Sequence, residues 1–401
     1  MKGFLIILTL VLHVHAGERI NDALDSARAV YAARQERTTI YIEPGTYQEE
    51  LTIDVPGLTL KNASKKPSIA LHKQGVEAAP EAVRITWYYG HGYQYKSMGD
   101  VPNYGGSRTR KWNASVLVTA PDFTAENIIF ENSFNLYVSE KEAADSLVDI
   151  SQSDMPWTEK ERPKKVMPQR PKEVGSTEVQ KKLYRERAAA ISFTDGAKNA
   201  RLYNCRAVGR QDVLYGDQGA SIYWEGGVLS GAVDFIFGAM TLCVNKATIV
   251  ANINGEKGDR CYISAGRSEE GTRGMLFYKC HIRLAKENEL RISKYRIMTQ
   301  KKKDGTIVAS DTIDKPKHRN QQVWLARPWR AWGETVWANT TWDEGILNPE
   351  VWSTGLTKGE PCPNSYEYKS QDHSAGRPKW VTVLTKPILP DGTKLTPKKW
   401  K

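Results

Sequence analysis

The sequence predicts an all-β protein whose short strands stack in coils, the arrangement of a parallel β-helix. Its strand signals are rich in β-branched and aromatic residues and are separated by Gly, Asn and Asp. Long amphipathic helices do not alternate with these strands, which argues against a doubly wound α/β fold. One short unit recurs along the chain, and such repetition is typical of stacked coils. A β-sandwich is the alternative on pattern alone.

The recurring unit consists of a turn, an apolar strand, a polar residue and then a small or apolar residue. It is clearest in residues 123–134, 197–207 and 273–282. In a parallel β-helix the inward aliphatic side chains would form a continuous column, with Asn and Cys side chains at the corners. Ten strands are predicted on these grounds: 39–42, 58–60, 115–118, 127–130, 190–193, 200–205, 221–225, 235–237, 242–244 and 275–281.

One helix is predicted ahead of the strand series, over residues 20–33. Two charged stretches, 139–187 and 286–321, do not follow the strand pattern. We interpret both as long loops that leave the scaffold, and loops of this length in a compact domain are usually functional or mobile. They are either solvated surface or the walls of a cleft that binds an anionic chain.

The N-terminus has the features of a secretory signal peptide. A mainly apolar run over residues 4–12 follows Lys2, and Ala16 supplies the small residue of a cleavage site. The run is too short to span a bilayer. The sequence therefore predicts a signal peptide over residues 1–16, a secreted, extracellular protein and a single domain over residues 17–401. The alternative is that this segment is an N-terminal core strand.

Export would expose the protein to the compartments in which sequons are glycosylated and cysteines form disulfide bridges. Three Asn-X-Ser/Thr triplets become candidate glycosylation sites, at Asn62, Asn113 and Asn339. The five cysteines are odd in number and too few for a disulfide-built scaffold. We expect one or two bridges and at least one free thiol.

The 401-residue chain carries a formal net charge of +11. Positive charge attracts anionic partners over long range, and export makes an acidic polysaccharide a better fit than nucleic acid. Solubility alone is the alternative reason for the charge. The sequence contains no CxxC pair, HExxH helix, GxSxG elbow or P-loop, so we predict no metal and no cofactor. We expect a monomer with no membrane and no nucleic-acid partner.

Two aspartates are the best candidates for chemistry. Asp212 and Asp234 both lie in apolar strand contexts, where a carboxylate is costly to bury without a partner. Their separation of 22 residues is about one coil of a β-helix, and neighbouring coils lie roughly 4.8 Å apart. The two carboxylates could therefore face one substrate. From the residues alone, a pair of structural hydrogen-bonding aspartates is the competing interpretation.

An ordered set of motifs resembles the pectin methylesterase (pectinesterase) family, and the two long insertions are similar to those of its bacterial-type branch. The segments are similar to the family's GxYxE motif, the coil before its active site, and its QDTLY, DFIFG and LGRPW motifs. In this sequence they occupy residues 43–49, 123–132, 211–215, 234–238 and 325–329. The resemblance implies a right-handed parallel β-helix with long loops forming an open substrate cleft.

The resemblance also implies a reaction, the hydrolysis of galacturonate methyl esters of homogalacturonan (pectin) to pectate and methanol, without a cofactor. Asp234 would be the nucleophile, and Asp212 the acid that protonates methanol and then the base that activates water. Gln211 would help to hold the oxyanion. Arg327 would hydrogen-bond Asp234, and we expect its charge to lower the pKa of Asp234.

Substrate contacts are implied for Trp329 at a sugar subsite and for Tyr215 and Phe237. Arg187 begins a segment that stands where members carry QAVAL, whose glutamine is a second oxyanion donor. Arginine can donate a hydrogen bond there, but its length and charge also leave open a catalytically impaired β-helix that binds acidic cell-wall glycans. A glycosidase or lyase on the same fold is the other alternative. The aromatic run over residues 87–95 either stacks on sugars or packs in the core.

Overall fold

The computed structural model describes residues 9–99, 113–148, 169–256, 258–290, 296–301, 303–312, 321–353, 362–371 and 376–400. Three long sheets run along the molecule, with 11, 8 and 7 strands, and all of their strand pairs are parallel. Consecutive strands of the chain pass from one sheet to the next, so each circuit adds one strand to each sheet. The predicted parallel β-helix is confirmed.

Each sheet is a ladder of short strands, one above the next along the helix axis. The 11-stranded sheet contains Thr9–Val14, Arg37–Ile42, Thr59–Asn62, Thr124–Glu126, Ala200–Tyr203, Ser221–Glu225, Thr241–Asn245, Met275–Tyr278, Thr335–Ala338, Ser365–Tyr368 and Thr382–Val383. The 8-stranded sheet contains Thr341–Trp342, His281–Leu284, Thr248–Ala251, Val228–Gly231, Arg206–Val208, Ile128–Asn132, Val83–Trp87 and Gly45–Gln48. The 7-stranded sheet contains Val323–Ala326, Cys261–Gly266, Ile236–Gly238, Leu214–Gly216, Ile191–Phe193, Val116–Val118 and Leu51–Ile53.

The sequence repeat corresponds to the corner between the 11-stranded and 8-stranded sheets. Asn127, Asn204 and Lys279 each adopt a left-handed backbone conformation there, with φ of 58°, 47° and 53°. Asparagine tolerates this region better than most residues. The side-chain amide of Asn204 also donates to the side-chain oxygen of Asn127, at 2.7 Å, across one coil. The predicted asparagine corner is therefore confirmed.

Inward side chains form the predicted apolar column. In the 11-stranded sheet one row of aligned, fully buried residues runs through seven coils. Each fully buried Leu, Val or Phe side chain of the row contributes about 1.5–3 kcal/mol of transfer free energy. The row consists of Leu60, Ala125, Leu202, Trp224, Val244, Phe277 and Trp337.

The first coil is covered by helix α1 (Ile20–Arg34), which confirms the predicted helix. Its N-terminus is capped from a distance, because the Glu49 carboxylate accepts the Ile20 backbone N–H at 2.8 Å. Strand Thr9–Val14 lies in the segment expected to be a signal peptide, and it pairs in parallel with strand Arg37–Ile42. Cleavage after Ala16 stays a prediction, and it would leave Arg37–Ile42 as the edge strand of this sheet.

The two predicted loops contain some regular structure. The first holds helix α2 (Glu140–Ala144) and two 3-10 turns, Glu178–Gln180 and Lys182–Tyr184. The second holds an antiparallel hairpin of Arg296–Lys301 with Ile307–Thr312, which pairs with none of the three long sheets and was not predicted. Outside these insertions there are a short hairpin, Leu71–His72 with Glu77–Ala78, and 3-10 turns at Lys73–Gly75, Lys96–Met98, Ser133–Asn135 and Pro397–Lys399.

Burial of the side chains bears on the expected glycosylation sites and on the cysteines. Asn62 and Asn113 are each only 3% exposed, which is incompatible with a glycan on either side chain in the folded protein. Four of the cysteines are buried free thiols: Cys205, Cys243, Cys261 and Cys280. This agrees with at least one free thiol, but it leaves no two cysteines for an intramolecular bridge, so the expectation of one or two bridges is wrong. Burial raises the pKa of each of these four thiols, so none is an activated nucleophile.

Candidate active site

The two candidate aspartates lie on adjacent coils, just before two neighbouring central strands of the 7-stranded sheet, Leu214–Gly216 and Ile236–Gly238. Gln211 pairs in parallel register with Val233, and the following strands pair Tyr215 with Phe237. The Asp212 backbone N–H donates to the carbonyl oxygen of Val233 at 3.3 Å. The one-coil spacing inferred from the sequence is therefore confirmed. Each aspartate lies just before the first residue of a strand.

The backbone around the aspartates is held in an uncommon conformation. Asp212 and Asp234 have positive φ values of 53° and 47°, in the left-handed region that aspartate tolerates better than most residues. The strands that follow approach closely at Gly216 and Gly238. A Cβ on Gly238, whose φ is 141°, would lie 2.1 Å from the carbonyl oxygen of Gly216. Glycine at the end of the DFIFG segment thus allows the two coils to stack directly after the aspartates.

Asp234 and Arg327 form a two-point ion pair. The guanidinium Nε donates to Oδ1 of Asp234 at 3.0 Å, and a terminal nitrogen donates to Oδ2. The guanidinium carbon of Arg327 lies 4.0 Å from the centre of the Tyr262 ring, which restricts its orientation. Planar two-point contact of this kind fixes a carboxylate in one rotamer.

Burial has a larger effect on Asp234 than the ion pair does. The residue is 5% exposed. Burial raises the pKa of Asp234, while the charge and hydrogen bonds of Arg327 lower it, and the net direction is upward. The expected lowering of this pKa by Arg327 is therefore present, but the cost of desolvating the carboxylate exceeds it.

The pKa of Asp212 is raised more strongly than that of Asp234. Asp212 is 3% exposed, and burial followed by the nearby charge of Asp234 raises the pKa of Asp212 well above its ordinary value. Arg187 opposes this shift, with its Nε 3.9 Å from Oδ2 of Asp212. The pair therefore favours an ionised Asp234 beside a protonated Asp212, and the two carboxyls titrate as a coupled unit.

Arg187 lies one coil before Gln211, in parallel register with it. Its side chain is 39% exposed, so it can reach both solvent and the aspartates. The Arg187 carbonyl oxygen accepts the backbone N–H of His91 at 2.9 Å, which joins this coil to the loop that contains His91. The structure therefore brings Arg187 together with Gln211 and Asp212.

Three aromatic side chains from the coils that carry Asp212, Asp234 and Arg327 pack against one another. Trp329 is 38% exposed, and its ring meets Phe237 edge-on at 6.2 Å between centroids. Phe237 in turn packs on Tyr215, at 5.8 Å. Tyr215 and Phe237 are largely buried, so Trp329 is the exposed ring of the three. The other aromatic run packs in a buried cluster and not as an open platform, since Tyr88, Tyr89, Tyr93 and Tyr95 are all buried.

A buried charge cluster behind the aspartates was missed by the sequence interpretation. Arg185 and Arg210 both donate to the fully buried carboxylate of Asp259. The Arg210 carbonyl oxygen accepts the backbone N–H of Val233 at 3.0 Å, directly before Asp234. The charge of Arg185 also lowers the pKa of Asp234. This cluster fixes the two turns that carry the aspartates, and its only sequence signal was charge in an apolar context.

His91 and Arg267 are two further residues near the aspartate pair and Arg187 to which no motif assigns a role. Burial and the charge of Arg187 lower the pKa of His91 to about 4, so its imidazole is neutral at ordinary pH. Arg267 follows strand Cys261–Gly266, and its charge lowers the pKa of Asp212. Within the described ranges, no group of three or more His, Cys, Asp or Glu residues is placed to hold a metal ion.

Comparison with known proteins gives the same family throughout. The pectinesterase family profile matches residues 179–382, which is half of the chain. A probable pectinesterase A from Aspergillus niger is 23% identical over 353 residues, covering 88% of this chain and 73% of the relative. The probable pectinesterase/pectinesterase inhibitor 58 from Arabidopsis thaliana is 24% identical, and the chain spans half of its length.

Solved structures agree with the fold. The pectin methylesterase from Aspergillus niger superimposes with a TM-score of 0.59 at 20% identity, over 98% of this chain and 96% of that protein. The pectin methylesterase from Erwinia chrysanthemi gives a TM-score of 0.57 at 19% identity, over 94% and 92%. The fold is therefore the right-handed parallel β-helix of these enzymes, and this chain belongs to the pectinesterase family.

Proposed function

We propose that this protein is a secreted pectin methylesterase, a carboxylic ester hydrolase that converts methyl-esterified homogalacturonan to pectate and methanol. The observation that carries the proposal is the pairing of two buried aspartates on adjacent coils, only one of which has a two-point arginine partner. Two like acids in unlike environments can take the separate roles of nucleophile and proton donor.

In the first half-reaction, a carboxylate oxygen of Asp234 attacks the carbonyl carbon of the methyl ester. The carbonyl electrons move to oxygen, and Gln211 and Arg187 are proposed to donate hydrogen bonds to that oxyanion. As the tetrahedral intermediate collapses, the bond to the methoxy group breaks, and Asp212 transfers its proton to the departing methanol. This leaves an anhydride between Asp234 and the galacturonate.

In the second half-reaction, water attacks the galacturonate carbonyl of the anhydride. Asp212, now ionised, accepts the proton of that water, and the carbon–oxygen bond to Asp234 breaks. Asp234 returns as a carboxylate that Arg327 binds again, and Asp212 is again protonated. The product is a free galacturonate, so the cycle consumes one water and releases one methanol for each ester.

The substrate is proposed to lie along the cleft with one sugar over Trp329, and Phe237 and Tyr215 beneath it. A formal net charge of +11 supports association with a polyanion. We further propose an extracellular, monomeric protein that takes no nucleic-acid or membrane partner and uses no cofactor. No helix within the described ranges is long and apolar enough to cross a membrane.

The central test is methanol release. We expect the purified protein to release methanol from highly methyl-esterified pectin, at an undiminished rate with EDTA present, because every proposed catalytic role falls to a side chain. Methanol and chain length are measured in the same samples. Shortened chains or new unsaturated ends without methanol would instead indicate a glycosidase or lyase on this fold, and binding without any turnover would indicate a catalytically impaired glycan-binding protein.

Replacing Arg187 tests the altered oxyanion position. We expect Arg187→Ala to lower kcat about 10²-fold, the usual cost of one lost oxyanion donor, and Arg187→Gln to retain most of that activity. Because the charge of Arg187 lowers the pKa of Asp212, both variants should also move the alkaline limb of the pH–rate profile upward.

The control for Arg187 is Arg201→Gln, which removes an equal charge from an exposed position on the outer face of the 11-stranded sheet. It should change neither kcat nor the pH profile. Unchanged kcat in both Arg187 variants would remove Arg187 from the oxyanion site.

A further inference from the structure

The buried charge cluster behind the paired aspartates has no part in the proposed reaction. Its centre is the Asp259 carboxylate, which accepts hydrogen bonds from Arg185 and, at 3.1 and 3.2 Å, from Arg210. The same carboxylate accepts the Asn254 backbone N–H at 2.8 Å. Arg210 and Asp259 are fully buried, and the Arg185 side chain is 8% exposed. Apolar side chains of similar volume often stabilise a fold as well as buried ion pairs do, so stability alone does not account for the cluster.

Arg210 joins this cluster to both turns that carry the aspartates. It directly precedes Gln211, and its carbonyl oxygen accepts the backbone N–H of Val233 at 3.0 Å, one residue before Asp234. Its guanidinium is fully buried and bound to Asp259. The cluster therefore has a fixed position relative to the proposed nucleophile.

The cluster carries an excess of positive charge. Arg210 alone would neutralise Asp259, and Arg185 adds a second guanidinium to the same carboxylate. Lys182 and Glu256 carry opposite charges at the more exposed rim, where the Lys182 backbone N–H donates to the Glu256 carboxylate at 3.0 Å. One positive charge is thus left over in a buried position, where electrostatic interactions are stronger than in water.

The charge of Arg185 acts on the nucleophile. Burial raises the pKa of Asp234, and the charges of Arg327, Arg187 and Arg185 all lower it. The cations with the largest effects on the pKa of Asp212 are Arg187, Arg327 and Arg267. The effect of Arg185 is therefore directed more at the nucleophile than at the proton donor.

Arg185 differs from the other cations around Asp234 in how it is held. Arg327 binds the carboxylate directly, whereas the Arg187 side chain is 39% exposed and its charge is screened by solvent. Arg185 makes no direct contact with Asp234 but is buried, so its charge is screened less. Burial raises the pKa of the neighbouring Cys261 thiol well above its ordinary value, and this thiol adds no charge. The ionisable groups around Asp234 are Asp212 on the coil before it, Cys261 and Tyr262 on the coil after it, Arg327 one coil further, and Arg185 and Arg187 ahead of strand Ile191–Phe193.

We propose that Arg185 is a positioning residue for the reaction: anchored by Asp259, it places a buried positive charge behind Asp234 and keeps that nucleophile ionised in mildly acidic solution. The inference rests on the proposed function. Arg210 offsets the charge of the Asp259 anchor, so the charge of Arg185 is left to act on Asp234. The enzyme would then keep its activity at a lower pH than the pair of Asp234 and Arg327 alone permits.

The test is the pH dependence of kcat/KM for Arg185→Gln on a fully methyl-esterified oligogalacturonide, whose sugars have no free carboxylate to titrate. The acid limb of this profile reports the first ionisation of the aspartate pair in the free enzyme. Without the charge of Arg185 the carboxylate form of Asp234 is less favoured, so this limb should move to higher pH. We expect kcat/KM to fall about threefold or more on the acid limb and to change less than about twofold on the plateau.

Two further variants separate charge from structure. Arg185→Lys keeps the charge and one donor for Asp259, and its acid limb should stay at the wild-type pH even where the plateau is lower. Asp259→Asn removes the negative charge and keeps both arginines, so its acid limb should move to lower pH. Arg201→Gln serves again as the control for overall charge and should leave the profile as in the wild type.

An unchanged profile in Arg185→Gln, or an equal loss at every pH, would overturn the proposal by making Arg185 a structural support only. The same upward shift in Arg185→Lys would overturn it too, because the charge would then not be the cause. All of these outcomes include methanol release by the wild type. Failure of the proposed function would be distinct, because the wild type would then yield no methanol at any pH.

Discussion

Asp234→Asn is expected to lower methanol release by at least about 10⁴-fold, because removing a covalent nucleophile costs about that much or more in hydrolases that use one. Asparagine has nearly the same shape, and its side-chain oxygen can still accept one hydrogen bond from Arg327. Pectin affinity should therefore change by no more than about threefold, since the lost interaction belongs to the reaction and not to ground-state binding. Methanol release and equilibrium binding to pectin are measured on the same preparation.

Asp195→Asn is the matched control, since Asp195 is an exposed aspartate that follows strand Ile191–Phe193 of the same sheet. It should retain full activity. Equal losses of binding and turnover in Asp234→Asn would make Asp234 a structural residue, and substantial residual turnover would place the nucleophile elsewhere.

The β-helix and the aspartate pair could be predicted because both depend on the length of one coil. A separation of 22 residues between Asp212 and Asp234 is about one circuit, and the chain repeats that circuit regularly through the three sheets. The corner residues Asn127 and Asn204 provide a further local signal, because few residue types tolerate a left-handed backbone. Arg327 came from the motif resemblance, since no spacing rule brings it beside Asp234 across 93 residues.

The features that could not be predicted depend on side-chain direction and burial. Nothing near Arg267 in the sequence indicates that its side chain turns back over Tyr215 and Phe237. Naming Arg327 as the partner of Asp234 predicts a lowered pKa for Asp234. Burial of Asp234 reverses the direction of that shift, and the extent of burial cannot be read from the sequence. The Lys-rich hairpin that begins with Arg296–Lys301 escapes prediction because its charge hides the strand pattern.

The two aspartates also link activity to stability. A buried acid that stays protonated near working pH lowers the free energy of unfolding, because the same group ionises freely in the unfolded chain. Catalysis nevertheless requires this acid to ionise once in every cycle. The surrounding cations limit this cost without removing it, since the pKa of Asp212 stays well above its ordinary value despite Arg187, Arg327 and Arg267. Removing the acid should therefore affect catalysis and folding in opposite directions.

Asp212→Asn is accordingly expected to lower kcat by about 10²–10⁴-fold, the usual contribution of a general acid–base, and to stabilise the fold at neutral and alkaline pH. Burial, and then Asp234, raise the pKa of Asp212 in the folded protein above its value of 3.8 in the unfolded chain. Below pH 3.8 the carboxyl is protonated in both states and the wild type has no penalty. As the pH rises from that value to the folded-state pKa, the wild type loses about 1.4 kcal/mol of unfolding free energy per pH unit.

The measurement is the difference in midpoint of thermal unfolding between Asp212→Asn and the wild type, followed from acidic to mildly alkaline pH. The difference should be small at the acidic end and grow as the pH rises, while Asp195→Asn should track the wild type throughout. A variant that becomes progressively less stable than the wild type as the pH rises would instead mean that Asp212 is stabilised as a carboxylate in the folded state. Asp212 could then not hold the proton that methanol requires, and the assignment of acid and nucleophile to the two aspartates would have to be reversed.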